Sequence, residues 1–206
     1  MEASMRRIIL ITCCVLVVCG LSIPAATAPQ DPPKPKKEKF GALAYLPSGA
    51  GPAMVGAGAR ANVDLYVNSY TSDAEAKRMA GLLLESGPNA LLKALEKAKS
   101  IGKITLTGRV GFYDLKLIRS HRTPEGRRIY ALGDRPIGFL EVYGGSRSQD
   151  YPFGVLQADL KTKDKGKEEG EGTLIYSAKI KVLDGNQIDV ETYGIAPIRL
   201  MALRKL

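Results

Sequence analysis

The stretch Gly172 to Arg204, GTLIYSAKIKVLDGNQIDVETYGIAPIRLMALR, holds the clearest strand pattern in the chain. Leu174, Tyr176, Ala178, Ile180 and Val182 occupy every second position, and Thr173, Ser177, Lys179 and Lys181 fill most of the gaps. That alternation is the signature of a strand with one wet face. Beyond Asp184, Gly185 and Asn186, Ile188 and Val190 alternate with Gln187, Asp189 and Glu191, which makes a second strand. Directly opposed residues of an antiparallel pair share a face, so apolar must meet apolar: Val182 opposite Ile188 and Ile180 opposite Val190. This register requires a three-residue loop, with Asn186 in the left-handed conformation that asparagine tolerates. A two-residue Asp-Gly turn would set Val182 against Gln187. The even-numbered apolar residues of both strands are expected to face inward.

Working back from this hairpin, further short alternating segments separated by turn residues are read at Asn62 to Asn68, Ile104 to Arg109, Tyr113 to His121, Arg127 to Gly133, Ile137 to Tyr143, Phe153 to Lys161 and Ile198 to Arg204. Lys161 to Glu171 reads as a charged, solvated hairpin tip. A helical pair interrupts the series. Ser72 with Glu75 forms a capping box, Ala76, Met79, Ala80 and Leu83 recur on one face, and Ser86 and Gly87 end the helix. Pro88 opens a second helix with Leu91, Leu92, Leu95 and Ala98 as its stripe, and Gly102 stops it. The expected fold is α+β: an antiparallel β-meander of about nine strands, closed as a barrel or folded in two layers, with a two-helix insertion after the first strand.

The amino terminus predicts export. Arg6 and Arg7 precede the apolar run Ile8 to Leu21, and Pro24 to Ala28 supply small residues for cleavage after Ala26 or Ala28. Residues 1–28 therefore read as a signal peptide, too short to span a bilayer comfortably. Cys13, Cys14 and Cys19 all lie within it, so the mature chain is expected to lack disulfides, thiol nucleophiles and cysteine metal sites. Residues 29–61 read as a linker, Pro- and Lys-rich to Phe40 and then Gly- and Ala-rich. Residues 62–206 form the single expected domain, and no transmembrane span is expected in the mature chain. Gly56, Gly58 and Ala61 match a dinucleotide fingerprint formally, but a strand rather than a helix follows, which excludes that reading.

The chain carries a net charge of +9, enough to attract polyanions at low salt. His121 is the sole histidine, no EF-hand pattern occurs, and no cofactor is expected. The candidate site is a basic rim where Arg119, His121, Arg122, Arg127, Arg128, Arg135 and Arg147 gather near strand ends, with Arg119, His121, Arg127, Arg135 and Arg147 as its expected ligand-binding members, suited to an anionic envelope ligand held by charge-assisted hydrogen bonds. Parity with Leu115 and Leu117 is expected to bring Arg119 and His121 to one side. The helical pair offers a docking face for an envelope protein. Nucleic acid is disfavoured, since no recognition motif appears and Trp is absent. The expected function is an exported, non-enzymatic binding or scaffold domain. The alternative is an extracytoplasmic hydrolase using His121 or a carboxylate pair.

The segments YTSDAE (70–75), GPNALLKALEK (87–97), GKITLTGRVG (102–111), YPFG (151–154), GTLIYSAKI (172–180) and YGIAPIRL (193–200) resemble a family of uncharacterised exported bacterial proteins. The resemblance spans most of the chain beyond Val63 and implies export, but no activity.

Overall fold

The computed structural model describes residues 37–45, 60–138, 150–183, 187–192 and 196–206. Among these, the strands are β1 (Glu38–Tyr45), β2 (Arg60–Val67), β3 (Gly102–Leu106), β4 (Tyr113–Leu115), β5 (Leu117–Thr123), β6 (Gly126–Gly133), β7 (Phe153–Thr162), β8 (Glu168–Leu183), β9 (Gln187–Thr192) and β10 (Ile198–Lys205). Two helices, α1 (Asp73–Ser86) and α2 (Pro88–Lys97), follow β2. The strands pair antiparallel in the order β4-β3-β2-β1-β10-β8-β7-β6-β5, with β9 joined to β8 alone. Both ends of that series belong to one stretch of chain, Tyr113–Thr123, so the sheet curls into a nearly closed barrel.

The stretch read as one strand from Tyr113 splits at Lys116 for that reason. Its first half pairs with β3, and its second half pairs with β6. The Lys116 amide donates to the Leu132 carbonyl at 2.9 Å where the partner changes. Facing changes there too: Leu115 packs inside the barrel, Leu117 packs on the outer cluster beneath the helices, and Ile118 is inside again.

The barrel interior is filled by side chains from β1 to β8 and β10, among them Phe40, Leu65, Ile104, Leu115, Ile118, Ile129, Leu156 and Leu174, none more than 3% exposed. A second apolar cluster lies on the outer face, where Met79 and Leu83 of α1 and Leu91 and Leu95 of α2 cover Phe153, Ala178 and Ile180. The helices form as their pattern dictates. The Ser72 hydroxyl accepts from the Glu75 amide at 3.2 Å, Gly87 ends α1 at φ +80°, and Pro88 starts α2. None of the described helices is long and apolar enough to cross a membrane.

Several expectations are corrected. Composition assigns residues 38–45 to the linker, yet β1 lies in the sheet between β2 and β10, with Phe40 fully buried. Its inward positions are a glutamate, a phenylalanine and small alanines, too weak an apolar signal to stand out beside the preceding lysines and prolines. The helical pair consequently follows the second strand. The sheet is not a simple meander either, because β10 inserts between β1 and β8. The charged tip is shorter than expected: Glu168 to Glu171 are paired residues of β8, and the turn is confined to 163–167. Of the strand expected at Ile137 to Tyr143, residues 137 and 138 are not in a strand and the remainder lies outside the described residues.

The β8–β9 register matches the reading: Val182 faces Ile188 and Ile180 faces Val190. Inward facing holds for Ile180 only in part, since it packs under the helices rather than in the barrel, and Ile188 is 53% exposed. A bulge explains the change of core. Between the pairs Val155–Ile175 and Phe153–Ala178, β8 advances one residue more than β7, so Leu174 points into the barrel while Ala178 and Ile180 point out to the helices.

The β7–β8 seam is close enough to require glycine at position 170, where a Cβ would sit 1.7 Å from the Asp159 carbonyl oxygen. The obstructing atoms are all β7 backbone, which cannot swing aside as a side chain would. Gly170→Ala is expected to lower stability by about 3 kcal/mol in urea unfolding. Gly166→Ala, with open space around its Cβ but a φ of +70°, is expected to cost only about 1 kcal/mol.

Candidate functional site

Strand pairing places the start of β1, the end of β10, the β5–β6 turn, the β7–β8 turn and Tyr70 at one end of the barrel. These segments surround an open cleft of about 1170 Å³, lined by residues that include Glu38, Tyr70, Arg122, Arg127, Lys161 and Lys163. Its floor is a charged cluster that caps the apolar core. Arg127 on β6 donates through Nη1 to Glu38 Oε2 at 3.0 Å and through Nη2 to Glu38 Oε1 at 3.1 Å. It also donates through Nε and Nη2 to the two carboxylate oxygens of Glu168, at 2.7 and 2.6 Å. Lys205 reaches Glu38 Oε1 at 2.5 Å, and the Tyr70 hydroxyl donates to Glu38 Oε2. Beneath this cluster the Arg127 guanidinium lies 5.6 Å from the centre of the Phe40 ring.

The Glu38 side chain is only 4% exposed. Burial alone pushes its carboxyl up, but hydrogen bonds from Arg127, Lys205 and Tyr70, with the charge of Arg127, outweigh burial and hold it at about 2 against an ordinary 4.5. Burial and the hydrogen bond to Glu38 push the Tyr70 hydroxyl up, so it stays a donor. Burial pulls Arg127 down, but its bonds to Glu38 and Glu168 more than offset this and strengthen its hold on the proton.

Across the β5–β6 pair, Arg122 lies directly opposite Arg127, on the face that Ser120 and Ile129 share with the barrel interior. Arg127 is spent on its two carboxylates. Arg122 is exposed and makes no hydrogen bond or ion pair among the described residues. Around the lip, Lys161 pairs with Glu125 at 2.6 Å and Lys163 with Glu169 at 2.7 Å, both in solvent, where such pairs break at little cost.

Of the five ligand-binding residues expected on the rim, the four that are described do not meet. Arg119 is on the outer face, where its Nη2 contacts Asp73 Oδ1 at 2.6 Å and its Nη1 donates to the Thr71 carbonyl at 2.8 Å, fastening the start of α1 to β5. His121 shares that outer face opposite Arg128. Arg119 and His121 do share a face with Leu117, as parity requires, but the break at Lys116 puts that face outside the barrel, opposite to Leu115. Arg135 lies past the far end of β6, over the Tyr113 ring at 5.6 Å, and donates to the Phe112 carbonyl at 3.3 Å. Arg147 lies outside the described residues. Among the four described, Arg127 alone lines the cleft. Sequence reading counted Arg122 among the basic residues of the rim but missed Glu38, Tyr70, Glu168 and Lys205, which lie far apart in the chain and carry no motif.

Among the described residues His121 has no hydrogen-bond partner to orient it, and no group of three His, Cys, Asp or Glu is arranged to hold a metal ion. Every described carboxyl with a displaced proton affinity is displaced downward, opposite to what a general acid needs.

Because the folded value of Glu38 lies below its unfolded one, the cluster stabilises the protein fully above about pH 4.5 and ceases to do so as pH falls toward 2. The displacement corresponds to roughly 3 kcal/mol. Glu38→Gln is expected to lose stability of that order at pH 7 and to flatten the fall in stability between about pH 4.5 and 2, measured by urea unfolding across pH. Comparison with family models, curated proteins and solved structures finds no match for the chain, so a functional reading rests on the geometry of the barrel.

Proposed function

We propose that the chain is an exported, non-enzymatic binding domain that receives an anionic ligand in the cleft at the Glu38 end of the barrel. The observation that carries this reading is Arg122, a guanidinium on the cleft wall with no partner among the described residues, backed by a cluster that has already neutralised Glu38 and Glu168. An arriving carboxylate, sulfate or phosphate group meets Arg122 first. Lys161 and Lys163 then exchange their exposed carboxylate partners for it, forming charge-assisted bonds. Arg127 and Lys205 hold the wall in place rather than contact the ligand. The filled interior directs binding to the rim, since the barrel has no room for a ligand among its packed side chains. Export rests on the charged and apolar amino-terminal segments and on the resemblance to exported bacterial proteins.

Heparin serves as a model polyanion. Arg122→Glu with Lys163→Glu is expected to elute from immobilised heparin at markedly lower salt than the parent. Lys93→Glu with Lys97→Glu on α2, which produces the same net charge, is expected to change elution far less. Equal shifts for the two pairs would reduce the attraction to overall charge and remove the cleft from the reading.

A further inference from the structure

The opposite end of the barrel carries a different feature. There β3 and β4 are joined by residues 107–112, TGRVGF, all of them exposed. Val110 is completely exposed and Phe112 is 51% exposed, an apolar pair at a loop tip where solubility alone would favour polar residues. The loop is built to hold them outward. Gly108 and Gly111 take φ of +75° and +108°, the Thr107 amide donates to the Asn62 carbonyl at 2.8 Å, the Arg109 amide to the Leu106 carbonyl at 3.1 Å, and the Thr105 hydroxyl to the Gly111 carbonyl at 2.7 Å.

Cations surround the pair. Arg109 lies on the loop itself, the Lys103 ammonium is 5.2 Å from the centre of the Phe112 ring, and Arg135 donates to the Phe112 carbonyl. The nearby acids include Asp114, in register with Lys103, Asp64, paired with Lys39 at 3.4 Å, and Asp134, next to Arg135 in the chain. An apolar tip within a collar of basic side chains matches the layering of an anionic lipid surface, with acyl chains beneath phosphate groups. A polar partner protein would leave Val110 unmatched, and a neutral apolar one would bury the collar without counter-charge.

We infer that this loop seats the protein on anionic lipid bilayers. Val110 and Phe112 enter the acyl boundary, and Lys103, Arg109 and Arg135 lie at the level of the phosphates. The cleft, at the other end of the barrel, then faces away from the bilayer.

The chain contains no tryptophan, so Phe112→Trp introduces a single reporter. With vesicles of phosphatidylglycerol and phosphatidylcholine, its emission is expected to shift to the blue and to be quenched by bromine-labelled acyl chains. Val110→Trp should behave alike if one substitution disturbs the loop. Tyr130→Trp, an exposed control on β6, should not respond, which also separates the loop from any lipid contact made by residues 8–21. Adding Lys103→Glu and Arg109→Glu to Phe112→Trp is expected to weaken the response at least about tenfold. Vesicle binding that leaves Trp at 112 and 110 unshifted would overturn the inference, as would equal responses to pure phosphatidylcholine or no response at all. Binding of the loop to a protein instead would appear as that last outcome.

Discussion

The barrel depends on one guanidinium shared between a buried carboxylate and a half-buried one. Arg127 projects from β6 across the end of the apolar core and bonds to Glu38 of β1 and Glu168 of β8, while Lys205 of β10 and Tyr70 beyond β2 complete the group. Five separated stretches of chain thus converge on one layer of charge. Removing Arg127 would leave buried Glu38 with Lys205 as its one remaining cation in the cluster, and the penalty for a buried charge short of partners exceeds what a well-made pair adds. The layer also shuts water away from Phe40 and the side chains below it, so the same atoms close the core and form the floor of the cleft.

This arrangement determines which cations remain to meet a ligand. A count of basic residues along β5 and β6 treats them as equivalent, but pairing separates them. Arg119 is bound to the start of α1, Arg128 to Asp159 and Arg127 to its carboxylates, which leaves Arg122 facing the cleft. Net charge attracts an anion from a distance, whereas local pairing decides where it rests.

Where alternation was strong the sequence could be read directly. The Ile180–Val190 and Val182–Ile188 pairs follow from period two and the rule that apolar faces match, and α1 and α2 follow from their caps. What escaped reading came from events that break period two. The partner change at Lys116 turned Arg119 and His121 outward, and the bulge in β8 moved Ala178 and Ile180 to a second core. A further irregularity in β10, with Ala202 at φ +49°, brings both Leu200 and Leu203 inward although they are three apart. Strand β1 was hidden because its inward side begins with Glu38, whose burial makes sense only once Arg127 and Lys205 are placed opposite it in space. The candidate cleft was therefore scarcely legible: its members lie far apart in the chain and carry no motif.

The bulge in β8 fixes something besides facing. Because one strand serves the barrel with its first half and the helices with its second, the number of residues between Leu174 and Ala178 acts as a phase setting. Conservative replacements there leave the phase alone. Loss of a single residue would rotate everything beyond it by half a turn, presenting Lys179 and Lys181 to α1 and α2 and sending Ile180 into water. This segment can therefore drift in composition but not in length.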